Sequence, residues 1–486
     1  MKELKVRSLK LNGILNITKT FMSLIFPLIT FPYVSRILGP ENLGRVSFAQ
    51  SIVGYFSLFA SLGITSYGIR EAAAVRNNKI LLSTFVREIF IINCMSTLFA
   101  YGLLSVSIFI IPKFSTYRKL LVLCSSSILF VTLGLEWLYS ALEDYLFITI
   151  RSIIFQIVTI ALMFVLVKKE TDYYQYAALG VISNVGSNIC NFIHARKYIT
   201  LKIYKKIELK KHFKPIFSLF TLALVSSVYT LLDTTMLGFL SDDRAVGIYS
   251  AATKINRIVL SLVVSIGAVV LPRLSYLIND SFDEFKKLAM KSAELIFMLG
   301  FPCTIGLCVL AKPIISIITG VGYFDAIIPM RILNPIIIII GLSNFTGVQI
   351  FMPLKKEKWT LYSVIAGAII NFSLNVILIP KLNVIGASIG TLCAETTVTI
   401  VQLFLARKII SVSQLIKKMI LYWINSMIMG AFVYIVYRVI DNNIVNLLIS
   451  TLSGGIIYVV LLIIEKNTLI RELLFSKFFR KRGKNE

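Results

Sequence analysis

Charge is what this sequence has least of. Only 15% of its 486 residues are Asp, Glu, Lys or Arg, and just two are histidine. Soluble domains carry roughly 25% charged residues and about 45–50% apolar ones, whereas this chain is 57% apolar with a mean hydropathy of +0.83. A water-soluble enzyme of this length lacks the polar surface to cover that much apolar material, so a polytopic membrane protein is expected. The two histidines, His194 and His212, lie in or beside one basic stretch, which makes a histidine metal site a poor reading. The six cysteines (Cys94, Cys124, Cys190, Cys303, Cys308 and Cys393) all fall in apolar runs without zinc-type spacing and read as small buried hydrophobes. No phosphate-cradling loop, metal cluster or nucleophile constellation is visible. Catalytic residues, metal and cofactor are therefore all expected to be none, and direct nucleotide hydrolysis is excluded. Asp242-Asp243 has the look of a glycosyltransferase acidic pair, but Ser-Asp-Asp-Arg in a short turn is ordinary turn chemistry. The first apolar segment is long and lacks a small-residue exit, so no cleavable signal peptide is expected.

What is present is a succession of apolar runs. A bilayer core takes about 20 apolar residues per helix, which divides the chain into about fourteen spans. They fall at roughly 12–37, 43–69, 81–111, 117–139, 145–167, 173–195, 215–239, 246–272, 292–311, 329–353, 360–380, 386–406, 419–439 and 444–464. The first three are overlong, so tilt or kinks are expected in them. The fold class is thus all-α: two six-helix lobes around a central cavity plus two C-terminal helices. The expected organisation is 1–195 as the first lobe, 196–214 as a basic cytoplasmic linker, 215–407 as the second lobe, and 408–486 as spans thirteen and fourteen with a basic tail.

The 50 basic residues outnumber the 24 acidic ones. In a soluble chain that excess would point to nucleic acid, but here it sits in short loops and reads as topology. With the N-terminus inside, about 33 basic residues fall on inside segments and about 12 at outside ends. The richest inside segments are 196–214, with Lys202, Lys205, Lys206, Lys210 and Lys211, and the tail Arg480-Lys481-Arg482. Both termini are expected in the cytoplasm, in the cytoplasmic (inner) membrane. One inside loop, with Glu136, Glu143 and Asp144, departs from the rule. The outside loops are too short to hold a catalytic domain, which argues against a membrane glycosyltransferase or polymerase. Residues Leu38 to Ala49 echo Leu240 to Ala252 with one extra residue, and both are outer turns opening a lobe. Paired lobes around a substrate site are a recurrent transporter plan.

Ionisable side chains deep in a span cost at least about 2.5–3.5 kcal/mol and mark sites, ion pairs or snorkelling stems. Lys254 and Arg257 lie about 12 and 16 Å below the outer end of span eight and share one helix face. They read as a cationic cavity wall for an anionic head group, with Asp233 as charge partner or proton carrier; the alternative is a structural Asp233–Lys254 pair. Lys19 is a cavity residue or a snorkelling one. Arg36 and Arg45 flank the first outer turn, either as head-group anchors or as phosphate receivers at the mouth. Arg70 and Arg87 read as topology markers. Glu395 is an isolated carboxyl near the midplane, suited to H+ or Na+ coupling or to a hydrogen bond with Asn371 or Asn375, which give polar support. Pro27, Pro32 and Pro335 are expected to break helical ladders.

The run Phe31-Pro32-Tyr33-Val34-Ser35-Arg36-Ile37-Leu38-Gly39-Pro40-Glu41-Asn42-Leu43-Gly44, continued by Ser61 to Glu71, resembles the start of bacterial polysaccharide transporters, the Wzx-type oligosaccharide flippases. Val246 to Ile255, Leu271 to Ser275, and Asn371 to Glu395 are similar to later blocks of the same family. The resemblance implies the fold of the multidrug/oligosaccharidyl-lipid/polysaccharide exporter superfamily. It also implies an undecaprenyl-pyrophosphate-linked oligosaccharide as substrate, moved from inner to outer leaflet, and polymerase and chain-length machinery as downstream partners. Cationic cavity residues are thought to receive the pyrophosphate in this family, a role that carries over to Lys254. The rival readings are a peptidoglycan-precursor flippase and a multidrug or metabolite antiporter, the latter expected to favour acidic cavity residues.

Overall fold

The computed structural model describes residues 9–200 and 207–470. Lys202, Lys205 and Lys206, and the tail cluster Arg480 to Arg482, lie outside the described residues. The described chain is helical nearly throughout. In order, the α-helices are α1 (Leu9–Ser61), α2 (Ile64–Val75), α3 (Lys79–Ile110), α4 (Pro112–Thr116), α5 (Arg118–Gly134), α6 (Glu136–Ala141), α7 (Tyr145–Leu166), α8 (Tyr173–Val181) and α9 (Asn188–Ala195). They continue as α10 (Lys210–Leu240), α11 (Asp243–Asp280), α12 (Phe282–Val309), α13 (Ala311–Ile318), α14 (Ile327–Leu333), α15 (Ile336–Asn344), α16 (Glu357–Ala406), α17 (Val412–Val439) and α18 (Asn443–Ile464). An all-helical plan is what a hydrocarbon solvent demands, because each helix satisfies its own backbone hydrogen bonds.

The fourteen intervals expected from hydropathy are helical over most of their length. Among the described residues, nine helices are long and apolar enough to cross a membrane unaided, and up to eleven if each bent pair counts as one span. Two of the long stretches contain a break. In α1 the break falls at Gly39 (φ 69°), immediately before Pro40, and joins the first two expected spans; Pro27 and Pro32 sit inside continuous helix. The proline expectation is corrected here: a positive φ turns the backbone out of the helical region, which a proline within the ladder does not do. In α16 the break is at Asn383 (φ 49°), between the eleventh and twelfth expected spans. Pro335 does mark a bend, of 44°, between Val321–Leu333 and Ile336–Phe351.

By compactness the chain forms two units, Met1–Gly247 and Ile248–Glu486. In the first, α1 is the central element and packs on α3, α5, α7 and α10. Its core is built from Val34, Leu38, Leu43, Phe48 and Ala49, all essentially buried. In the second, α12 packs on α15 and α17, while α16 packs on α14 and α15. Phe285, Phe297, Phe345 and Phe351 fill the interior of that unit. The outer faces carry Leu98, Phe99, Phe109, Val269, Ile435 and Val439, each more than half exposed, a surface suited to lipid rather than to water.

The echo between Leu38–Ala49 and Leu240–Ala252 acquires a physical form. A Cβ on Gly44 would lie 1.7 Å from the backbone oxygen of Asp243, and one on Gly247 would lie 1.8 Å from that of Pro40. The two turns thus meet backbone to backbone through one glycine from each. We expect Gly44→Val to cost about 3 kcal/mol of stability, as a side chain forced against backbone does. Gly102→Ala, where an added methyl meets nothing within 4 Å in mid-helix, should be neutral or stabilising by about 0.5–1 kcal/mol. Thermal melting of the two variants in the same detergent checks both; equal melting temperatures would contradict the contact.

Candidate functional site

Helix α11 presents two faces. Ile248, Ala251, Ala252, Ile255, Asn256 and Val263 form a buried stripe at helical spacing. Asn256 locks that stripe in place, its Nδ2 donating to the Leu333 backbone oxygen at 3.1 Å and to Asn334 Oδ1 at 3.3 Å. Lys254 and Arg257 project from the opposite face; Lys254 is half-buried and Arg257 exposed. They lie about 16 and 21 Å along the axis from Asp243, well inside an apolar helix. The shared face anticipated from their spacing is present. Asp233 is buried in α10 of the first unit, while Lys254 and Arg257 belong to the second.

In α16, Asn375 Nδ2 donates to Asn371 Oδ1 at 3.2 Å, both side chains being buried. Gly390, beyond the break at Asn383, makes room for this pair: a Cβ there would stand 2.3 Å from Asn375 Oδ1. Glu395 follows on the same half of the helix and is half-buried. The asparagine pair lies in the first half of α16, and Gly390 of the second half packs closely against Asn375.

The remaining cations named from sequence are held by local partners. Arg45 is half-buried: its guanidinium donates to Glu41 at 2.6 Å, to Asp243 at 3.2 Å and to Asn42 at 3.3 Å, and lies 5.7 Å from the Tyr173 ring centre. Asp243 also accepts from the Tyr117 hydroxyl, so this turn is held by a network of polar contacts. Beside it, Asp172 accepts the backbone N–H groups of Lys168 and Lys169 at 2.9 and 2.8 Å, bonds that hold its carboxyl below the usual carboxylate range. Arg36, on the same turn, is exposed. Lys19, read from sequence as a cavity or snorkelling residue, forms an ion pair with Glu136. Glu143 pairs with Arg76 at 2.6 Å, and Asp144 accepts from the Tyr198 hydroxyl at 2.6 Å. The acidic loop that departs from the positive-inside pattern is thus matched acid by acid.

Sequence reasoning missed two buried polar centres. The first joins α2, α3 and the start of α10. His212 Nε2 lies 2.8 Å from Glu88 Oε2, and His212 Nδ1 lies 2.7 Å from the Tyr67 hydroxyl. Glu88 also accepts the Glu208 backbone N–H at 2.8 Å and faces Lys211 Nζ at 3.1 Å. A carboxylate can only accept, so Nε2 carries the proton toward Glu88, and in the neutral ring Nδ1 accepts from Tyr67. Phe85 and Tyr67 flank the imidazole edge to face. The signal for this centre was Glu88 itself, an acid inside the third apolar run. The second is Arg151 of α7, buried, which donates to the Ser187 carbonyl at 3.2 Å and to Asn188 at 3.4 Å. That carbonyl follows a π-helical turn, Ile182–Gly186, whose loosened ladder needs outside donors. Among the described residues no group of three or more His, Cys, Asp or Glu could hold a metal ion.

Removing one member of a buried ion pair strands the other, at a cost of about 3–5 kcal/mol. Glu88→Ala and His212→Ala should each lose about that much, and the double variant less than their sum. Lys211→Ala, at a half-exposed position, should cost under about 1 kcal/mol. Melting curves of the four proteins check this, and additive losses would mean the pair is not coupled.

The comparisons with known proteins agree with this architecture. The family model described as "Polysaccharide biosynthesis protein" matches residues 9–278, more than half the chain. A protein of Escherichia coli (strain K12) named "Putative O-antigen transporter" is 24% identical over 388 residues, 79% of this chain and 93% of that one. Among solved structures, a lipid II flippase MurJ in an inward closed conformation superposes with a TM-score of 0.76 at 20% identity, covering 96% of this chain and 99% of that one. An inward-facing multidrug resistance transporter of the MATE family gives a TM-score of 0.59 at 16% identity, covering 81% and 95%. The chain is a multi-pass membrane protein with the fold of the MOP superfamily, and it belongs to the polysaccharide biosynthesis protein family.

Proposed function

We propose that this chain is a flippase that carries an undecaprenyl-pyrophosphate-linked oligosaccharide repeat unit from the inner to the outer leaflet of the cytoplasmic membrane, for surface polysaccharide synthesis. The observation that carries the reading is the cationic face of α11: Lys254 and Arg257, side by side and deep in an apolar helix, opposite the stripe that packs it. Positive charge at that depth is expensive, and a doubly phosphorylated cargo is the partner whose passage lowers the cost. The E. coli relative named as an O-antigen transporter supports a saccharide cargo. Arg36 and Arg45 stand at the outer mouth in this scheme, and Lys19 at the inner one, where exchange of Glu136 for phosphate would free its ammonium. The glycan and pyrophosphate occupy the polar path while the polyprenyl tail stays in lipid. Alternating access, with lobes 1–195 and 215–407 rocking about the cargo, delivers it outside. Asp233 or Glu395, with Asn371 and Asn375 in support, takes the H+ or Na+ that resets the carrier. The flipped unit then passes to polymerase and chain-length machinery. Both termini are cytoplasmic in this scheme.

A second reading, a flippase for a peptidoglycan precursor, is favoured by the extent of the structural likeness to the lipid II flippase. Its cargo carries the same pyrophosphate lipid, so the saccharide decides. Depleting the protein in its host and extracting the lipid-linked material that accumulates separates the two. We expect a pyrophosphate lipid bearing a sugar repeat unit without a peptide. Accumulation of a peptide-bearing disaccharide would replace the first reading with the second, and no accumulation of either would dismiss both.

A further inference from the structure

Far from the α11 face, the second unit holds a second concentration of positive charge. The first three turns of α12, the start of α17 and the residues just after α18 enclose a cavity of about 420 Å³. Lys286, Lys287, Lys291 and Lys418 line it, with Ser411 and Gln414 as uncharged polar groups. The only carboxylate in the lining is Glu294, buried, which forms an ion pair with Lys418. Lys286 is drawn toward Asp283 at 3.8 Å and lies over the Phe282 ring. Lys287 is exposed. Four ammonium groups converge on one recess around one already engaged carboxylate.

We infer that this cavity is a binding site for the phosphate of an anionic phospholipid. Isolated snorkelling lysines spread around a bundle, each reaching its own water. These line one recess from two helices, four lysines against the single carboxylate of Glu294, so the lining carries a net positive charge that an anion would complement. The recess is also amphipathic. Leu469 and Ile410 line it and are buried, and Leu421, one turn beyond Lys418, and Leu299, two turns beyond Lys291, are exposed apolar side chains. A head group seated on the lysines would lay its acyl chains along that apolar surface, which a free phosphate cannot use. Basic pockets between transmembrane helices are a known means of lipid head-group recognition, and each lysine near an anionic lipid surface contributes about 1 kcal/mol. The site is independent of the cargo reading, since it lies on different helices and does not involve Lys254 or Arg257. Its effect is to clamp α12 to α17 and to the segment after α18.

The test uses the full-length protein in detergent and in vesicles. Thermal melting is followed with short-chain phosphatidylglycerol, with phosphatidylcholine, and with inorganic phosphate or pyrophosphate. Phosphatidylglycerol should raise the melting temperature by several degrees, and phosphatidylcholine should not. In the variant Lys286→Gln/Lys287→Gln/Lys291→Gln, half-maximal stabilisation should need at least tenfold more phosphatidylglycerol. Lys168→Gln/Lys169→Gln, in a loop of the first unit, should leave it unchanged. If the triple variant does not fold, Lys287→Glu at the exposed position reads the same shift in lipid dependence. Equal stabilisation of wild type and variant by phosphatidylglycerol would overturn the site. Stabilisation by phosphate or pyrophosphate as strong as by the lipid would overturn the lipid as its occupant.

Discussion

A charge inside a helical bundle that faces hydrocarbon must be matched, hydrated or absent, and that requirement organises this molecule more than any single packing contact. Glu88 has His212, Lys211 and a backbone N–H; Arg151 has a carbonyl freed by a π-helical turn; Glu294 has Lys418. Lys19 and Arg45 have carboxylates supplied by other segments of the first unit. Each pairing sets an element in place. His212 fixes the entry of α10 against α2 and α3, and Arg45 ties the break of α1 to the start of α11. Burial of such pairs contributes little net stability on its own, but losing half of one is costly, so they act as registration points for helices that apolar packing alone would let slide.

The second constraint is steric. Close approach of backbones in an apolar bundle requires small residues. Gly44 and Gly247 meet the opposite turn's backbone reciprocally, and Gly390 leaves the space into which Asn375 reaches. Gly39 and Asn383 each interrupt one long helical stretch at a single residue of positive φ, between intervals that hydropathy separates.

How much of this was legible in the sequence follows from the range of each signal. Hydropathy acts locally, so the helical intervals and the all-α class could be read directly. Lys254 and Arg257 share a face because a three-residue spacing dictates it, and the twelve-residue echo around Gly44 and Gly247 was readable for the same reason. Pairings across long stretches of chain were not. Lys19 meets an acid 117 positions away and Glu88 a histidine 124 positions away, and nothing in either neighbourhood names its partner. Hence Lys19 read as a cavity or snorkelling residue and Arg45 as a head-group anchor or phosphate receiver although each has a carboxylate, and His212 read as lying in or beside a basic stretch although it is buried. Pro27 and Pro32 misled for a related reason: proline marks where a ladder is weakened, whereas the direction of the chain changes only where a residue adopts positive φ, here Gly39.

The weight of the functional reading rests on the cationic face of α11, with Lys254 and Arg257 deep in an apolar helix. Its most direct test is flipping of a lipid-linked glycan in proteoliposomes, comparing wild type with Lys254→Ala/Arg257→Ala at equal protein density and with melting temperatures measured in parallel. The account requires transport by the wild type and its loss, by at least about tenfold, in a variant that remains folded, as expected when charge-assisted contacts to phosphate are removed. Equal transport by the two proteins would contradict it.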